Sequence, residues 1–114
     1  MNRKSLRYKI IDECKCGHEE LFNLIGMVDY NIKTEIDRFV EQLVSLHEDG
    51  FLECKFASNL VQTITVDQLK SHIQSRIEKG EDIESYPENG KEFSFFTKDK
   101  ALNQLTEKDR PMSK

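Results

Sequence analysis

The residues of this chain best suited to bind a metal ion lie in the segment Cys14-Lys15-Cys16-Gly17-His18. Thiolate sulfur and imidazole nitrogen are common zinc ligands, and Cys54 or His47 would complete a set of four if the strand that carries Cys54 lay beside this segment. A single Cys-x-Cys unit is a weaker zinc pattern than paired Cys-x-x-Cys units, and a free cysteine is often buried as a small apolar side chain. We therefore expect no metal and no other cofactor, with Cys14, Cys16, His18 and Cys54 as the alternative ligand set.

Side chains suited to catalysis lack the spacing that catalysis requires. His47 continues an apolar stripe and His72 stands beside Ile73, and neither has a serine or cysteine partner at a recognisable spacing. The five glycines stand apart from one another, so the sequence indicates no phosphate-binding glycine loop. The carboxylates fall on faces expected to be exposed, where raised pKa values are not expected. The sequence predicts that this chain is not an enzyme.

Composition indicates one domain that carries a surplus of acidic groups. The 114 residues are 37% hydrophobic and 33% charged, with a net charge of −4 and an isoelectric point of about 5.4. No apolar run approaches the roughly 18 residues of a membrane span, and three cysteines do not suggest a disulfide framework. We expect a cytoplasmic protein with no membrane partner and no general attraction to nucleic acid.

The strongest local pattern is an amphipathic helix that begins near Thr34 and ends before Gly50. Thr34 and Asp37 have the spacing of a capping box, in which the hydroxyl accepts an N–H of the first turn. Gly50 suits the left-handed residue that ends a helix, and Phe51 can then fold back on Leu46. The apolar face of this helix recurs at intervals of three and four residues, through Ile36, Phe39, Val40, Leu43 and Val44.

Two shorter helices precede this helix, and a hairpin follows it. Ser5 is expected to cap a first helix that stops near Gly17, and a second helix is expected over residues 18–27. Alternation of apolar residues predicts strands over residues 51–56 and 60–65. Residues 57–59 between these strands are the expected tip of the hairpin.

A second group of elements is predicted after the hairpin. Thr65 and Gln68 form another capping-box pattern, for a helix with Val66, Leu69, Ile73 and Ile77 inward that Gly80 ends. Asn89-Gly90 is the strongest hairpin signal of the chain and leads into an aromatic strand over residues 93–96. Thr97 is expected to cap a last helix that contains Ala101, Leu102 and Leu105.

Three helices followed by a twisted hairpin resemble the element order of a winged-helix domain. The run over residues 35–54 resembles the third helix and first wing strand of that family, and residues 95–102 resemble its second wing strand and following helix. The resemblance implies an α+β, mainly α fold: a winged-helix-like three-helix bundle with a β-hairpin and a C-terminal helix–hairpin–helix extension. It covers residues 5–65 well and residues 93–105 loosely.

The resemblance leaves two choices for the second wing strand. If residues 93–97 form it, residues 57–92 are a long insertion that carries its own helix. We prefer residues 60–65, because sequential hairpins are the commoner connection. The expected organisation is a single domain over residues 1–105, with 5–65 as its core and 66–105 as its extension, followed by a disordered tail over 106–114.

The resemblance also implies a small regulator that binds duplex DNA, as a homodimer, with its third helix in the major groove. Basic and amide side chains of that helix, the wing and the N-terminal segment are the candidates for contact with bases and phosphates. The candidate residues are Arg3, Lys4, Arg7, Asn31, Lys33, Thr34, Arg38, Gln42, Lys55 and Asn59.

The charge of the third helix favours an alternative function. Its outward positions carry four carboxylates against one guanidinium, that of Arg38, and this excess would repel a phosphate backbone. The four carboxylates are those of Glu35, Asp37, Glu41 and Glu48. The alternative is an acidic protein-interaction module, antitoxin-like or immunity-like, that binds a basic protein partner and not DNA. Both functions depend on the same helices and hairpin.

Overall fold

The structure is a computed structural model that describes residues 5–15 and 17–98. These residues form an α+β fold with four α-helices and one four-stranded antiparallel sheet. The elements, in chain order, are α1 (Leu6–Cys14), β1 (Glu19–Glu20), α2 (Leu21–Leu24), a 3-10 turn (Ile25–Met27), α3 (Lys33–Glu48), β2 (Leu52–Phe56), β3 (Asn59–Val61), α4 (Val66–Glu78) and β4 (Phe93–Thr97). None of the helices in the described ranges combines the length and the apolar character needed to cross a membrane.

The sheet has the strand order β1-β4-β2-β3, so the last strand in sequence lies between two earlier ones. Phe95 of β4 is opposite Glu19 of β1 on one side and Cys54 of β2 on the other, while Cys54 is opposite Val61 of β3. The sequence offered two segments as the second wing strand, one in the region of β3 and the other in that of β4. Strand β2 pairs with both of them. The predicted separate C-terminal hairpin at Asn89-Gly90 is wrong, because β4 pairs with β1 and β2 instead.

Burial explains why β4 joins the main sheet. Phe93 and Phe95 point to the core side and are buried, and Phe95 is among the largest fully buried side chains. A local hairpin would leave these rings without the helices that cover them, whereas the central position packs them in the main core. The core cluster of the described residues runs from Ile10 to Phe95 and includes Leu69 and Ile73 of α4.

The connection between β2 and β3 is tighter than the sequence predicted. Phe56 is opposite Asn59, so the turn consists of two residues, Ala57 and Ser58, and not of the three residues 57–59. Both turn residues have positive φ angles, 51° and 72°, which is the geometry of a type I′ turn. Strand β3 ends at Val61, so it is also shorter than the expected 60–65.

Several helix ends follow the predicted capping chemistry. The Ser5 hydroxyl accepts the N–H of Tyr8 at 3.0 Å, and the capping box of Thr65 and Gln68 is formed in both directions. At Gly50, with φ of 85°, the next N–H donates to the carbonyl of Leu46 at 2.9 Å. This bond is the Schellman closure expected at the end of α3.

Two predicted helix starts are wrong. The Asp29 carboxylate accepts the N–H of Asn31 at 3.1 Å, and the resulting turn places the N-cap of α3 at Ile32. Thr34 therefore lies inside the first turn and forms no capping box. The second helix begins at Leu21 and not at residue 18, because Glu19 and Glu20 pair with β4.

The inward face of α4 differs from the predicted face in one position. Leu69 and Ile73 are buried as expected, but Ile77 is 40% exposed and Arg76 is only 5% exposed. A charged side chain thus occupies the place expected for an apolar one. The groups that compensate this charge define the site described below.

Replacement of the turn by Ala57→Asn with Ser58→Gly should stabilise the protein by about 1 kcal/mol, because left-handed backbone is unfavourable for alanine and serine. Urea unfolding of the double variant measures the change. Ala57→Val, which places a β-branched residue at the same positive φ angle, is the matched control and should lower stability. An Asn-Gly variant no more stable than the original chain would contradict the turn assignment.

Candidate functional site

Arg76 connects α4 to the segment over residues 81–92, which we call the strap because it leads from α4 back to β4. Its side chain is 6% exposed, and its Nε donates to the Glu81 carboxylate at 2.9 Å. Its Nη2 donates to the backbone carbonyls of Asp82 at 2.8 Å and Ser85 at 2.6 Å. A planar guanidinium has donors in fixed directions, so this one side chain holds three points of the strap.

Glu92 lies at the end of the strap and is the most deeply buried carboxylate of this cluster, with 1% of its side chain exposed. Its oxygens accept the backbone N–H groups of Phe22 at 3.2 Å and Phe93 at 2.9 Å. His72 Nε2 lies 2.7 Å from one oxygen, and Arg76 Nη1 lies 3.8 Å from the other. Glu92 thereby connects α2, α4 and β4 at one point.

The pKa of two strap carboxyls is lowered by their surroundings. The hydrogen bond from Arg76 holds the pKa of Glu81 below its ordinary value of 4.5. The backbone N–H of Glu84 and the hydroxyl of Ser85 hold the pKa of Asp82 below its ordinary value of 3.8. Both groups are therefore ionised in the folded protein at neutral pH.

A cavity of about 650 Å³ lies beside this cluster, between α4, the β2–β3 hairpin and the strap. We call it the α4 groove. One wall is polar and is formed by α4, and the other is mainly aromatic and belongs to the sheet. The side chains that set this character are Gln68, Ser71 and Ser75 on α4 and Phe56, Val61 and Phe93 on the sheet.

The aromatic part of the α4 groove is a group of three rings. Phe56 and Phe93 lie with their centroids 4.5 Å apart and their planes tilted by 45°. His72 meets Phe93 edge-on at 5.2 Å and Phe56 edge-on at 6.1 Å. An apolar cavity with a few polar groups at fixed positions is the usual form of a small-molecule site.

The outward side of α3, which we call the α3 face, is mainly acidic. Arg38 lies within 3.5 Å of the Glu35 carboxylate, so its charge is partly compensated. Asp37, which the sequence placed on this side, pairs instead with Lys70 of α4 at 3.0 Å. The polar residues of the α3 face are Glu35, Arg38, Glu41, Gln42, Ser45 and Glu48.

Arg7, a predicted phosphate contact, is engaged inside the fold. Its guanidinium donates to Asp49 Oδ2 at 3.0 Å and to Ser45 Oγ at 3.4 Å, and lies 5.0 Å from the centroid of the Phe51 ring. These contacts join α1 to the end of α3. Arg7 therefore has a structural role in this arrangement.

The remaining predicted DNA contacts fall into separate groups. Asn31, Lys33 and Thr34 are exposed together at the start of α3. Lys55 lies on β2, with its Nζ 5.8 Å from the centroid of the Phe96 ring, and Asn59 begins β3. Of these two groups, only the first lies at α3, and the second belongs to the β2–β3 hairpin. Arg3 and Lys4 lie outside the described residues, as do the predicted last helix and tail.

The candidate zinc ligands are dispersed or buried. Burial raises the pKa of the Cys14 thiol and of the Cys54 thiol to about 12, so both are protonated at neutral pH. His18 is exposed, and its ring centroid lies 4.4 Å from that of Phe96. Cys16 lies outside the described residues. Within residues 5–15 and 17–98, no three His, Cys, Asp or Glu side chains are grouped as a metal site would require.

Sequence reasoning missed the groups that form the buried cluster. Arg76 stands seven residues after Leu69 and three after Ile73, on the apolar stripe of α4, and this position was the one local signal. Glu92 comes just before an aromatic strand, where no short pattern marks it. The four charged or polar side chains of the cluster are His72, Arg76, Glu81 and Glu92.

Comparison of the chain with models of protein families, with curated proteins and with solved structures finds no significant match. Function must therefore be inferred from the chemistry of the α3 face and the α4 groove.

Substitution Arg76→Met should destabilise the protein by about 3–5 kcal/mol, because it leaves buried carboxylate oxygens without their cation. Thermal and urea unfolding measure the loss. Lys79→Met removes an exposed cation at the C-cap of the same helix and should change stability by no more than about 0.5 kcal/mol. A loss below about 1 kcal/mol for Arg76→Met would show that the guanidinium does not hold the strap.

Acidification should remove the contribution of Glu81 to stability. Its folded-state pKa lies below the ordinary value of 4.5, so its stabilisation is complete above that value and is lost as the pH falls through the folded pKa. At pH 7, the free energy of unfolding of the original chain should exceed that of the Glu81→Gln variant. This difference should shrink below about pH 4.5.

The same comparison in the Arg76→Met background is the control for this pH dependence. Without the guanidinium, the pKa of Glu81 loses its main cause of depression, so the effect of Glu81→Gln should vary much less with pH. If the effect of Glu81→Gln on the free energy of unfolding varied equally with pH in the original chain and in Arg76→Met, the pH dependence would come from a group other than the Arg76–Glu81 pair.

Proposed function

We propose that this chain is a winged-helix-like interaction module that binds a basic partner protein through the α3 face. The observation that carries the proposal is the charge of that face. Glu41 and Glu48 are exposed there and form no ion pair within the described residues. The one cation of the face, Arg38, is already shared with Glu35.

The charge of the whole chain supports the same partner. The 114 residues contain 17 Lys and Arg against 21 Asp and Glu, a net charge of −4. Charge complementarity steers encounter and selects against partners of like charge. A cationic protein surface is therefore favoured at the α3 face, and a phosphate backbone is opposed.

The winged-helix part of the proposal is supported by the order of the elements. Three α-helices, α1 to α3, precede β2, and β2 pairs antiparallel with β4. In this arrangement, β2 and β4 are the wing strands, and residues 57–92 are an insertion that contains β3, α4 and the strap. The fold does not by itself determine the partner, so the charge of the α3 face is the deciding argument.

Duplex DNA is the second candidate partner, and one observation favours it. Asn31, Lys33 and Thr34 are exposed together at the N-terminal turn of α3. A helix N-terminus attracts phosphate through its free N–H groups and dipole, and a lysine there adds charge. Glu35 in the same turn weakens this attraction.

The charge-reversing double variant Glu41→Lys with Glu48→Lys tests the proposal. At low salt, a lysine- and arginine-rich synthetic peptide should bind the original chain. It should bind the variant about tenfold more weakly, because two carboxylates that attract the peptide are replaced by two cations that repel it. Fluorescence anisotropy measures the affinities. Glu78→Lys with Glu88→Lys, the same charge change away from α3, is the control and should keep the affinity within about twofold.

Random-sequence duplex DNA, measured in the same way, separates the two candidates. The proposal predicts no saturable binding of DNA by the original chain at low salt. Salt-sensitive binding that Lys33→Glu abolishes would overturn it and favour the DNA candidate. Equal loss of peptide affinity in the α3 variant and in its control would also contradict the α3 face as the binding surface.

A further inference from the structure

We propose that the α4 groove binds a small neutral aromatic molecule whose ring carries a hydrogen-bond donor, of the phenol or indole class. This site is separate from the α3 face and does not depend on the function proposed for that face.

The size and lining of the groove fit a small molecule. Its volume of about 650 Å³ lies within the range of about 300–1,000 Å³ that is usual for ligand pockets. Phe56 and Phe93 provide aromatic surface on one side, and aromatic rings prefer tilted or offset contact with other rings. A flat aromatic ring is therefore the ligand shape expected to pack best against this wall.

The hydrogen-bonding requirement comes from His72. In the tautomer that donates the 2.7 Å hydrogen bond to Glu92, the hydrogen of the imidazole is on Nε2. In the neutral ring, Nδ1 is then an acceptor, and it makes no hydrogen bond to any of the described residues. Since His72 lines the groove, a ligand with an O–H or N–H group can donate to this nitrogen.

The charges beside the groove favour a neutral ligand. The Arg76 guanidinium is already bonded to Glu81 and to the strap carbonyls, so it has no strong attraction left for an anion. The Glu81 carboxylate is compensated by the same contact and offers little to a cation. Asp67 and Lys79 also line the groove, but they lie near opposite ends of α4 and carry opposite charges, so neither sign prevails along the wall between them. Selectivity is therefore expected from ring shape and from the hydrogen bond to His72.

Titration of the original chain with indole and with benzofuran tests the proposal, because the two rings have nearly the same size and only indole has an N–H. Amide shifts in the NMR spectrum should saturate with indole and be confined to the groove residues. Benzofuran should bind about fivefold more weakly, the ratio for one hydrogen bond of typical strength. Absence of saturable shifts with indole, or equal affinity for the two rings, would overturn the proposal.

A groove-filling substitution locates the site. Ser75→Phe places a ring in the groove from an exposed position of α4 and should weaken indole binding at least tenfold. Glu78→Phe adds the same ring to an exposed position of α4 that does not line the groove, and it should change the affinity by no more than about twofold. Unchanged binding of indole in Ser75→Phe would overturn the assignment of the site to the groove.

Discussion

The buried guanidinium of Arg76 is the constraint on which the second half of the fold depends. It holds the strap through Glu81 and two backbone carbonyls, and it approaches Glu92 at the point where the strap becomes β4. Glu92 in turn accepts N–H groups from α2 and from Phe93. The start of the central strand and the aromatic wall of the α4 groove are therefore placed by the same set of bonds.

A buried cluster of this kind contributes more to the choice of structure than to the net free energy of folding. Removal of charged groups from water is costly, and a buried ion pair is often no better than an apolar replacement of equal volume. Its geometry, however, admits few alternatives, since every donor of Arg76 and every oxygen of Glu92 needs a partner. Strand β4 is reached only after a connection over residues 57–92, so a directional anchor at Glu92 compensates for the lack of a short turn to set its register.

The sequence predicted several features that depend on neighbouring residues, although the local pattern of Thr34 and Asp37 did not form its capping box. The Ser5 cap, the Thr65–Gln68 capping box and the Gly50 closure are all local hydrogen-bond patterns, and all were confirmed. The predicted pairing of β4 was wrong, because pairing between strands far apart in sequence depends on which side chains the core buries. A short stretch of sequence does not contain that information. The buried cluster was missed for the same reason, since its members come from α4 and from the two ends of the strap.

The two proposed surfaces use different physical interactions, and this difference limits what each can bind. The α3 face acts through exposed carboxylates, whose attraction is screened over about 10 Å at 0.1 M salt, so it suits a large cationic surface that presents several charges at once. In the α4 groove, the buried charges of Arg76 and Glu81 compensate each other, so the groove is expected to select by shape and by hydrogen bonding to His72. A phosphate backbone suits neither surface, because the acidic α3 face repels it and the buried guanidinium beside the α4 groove is already bonded to Glu81 and to the strap carbonyls.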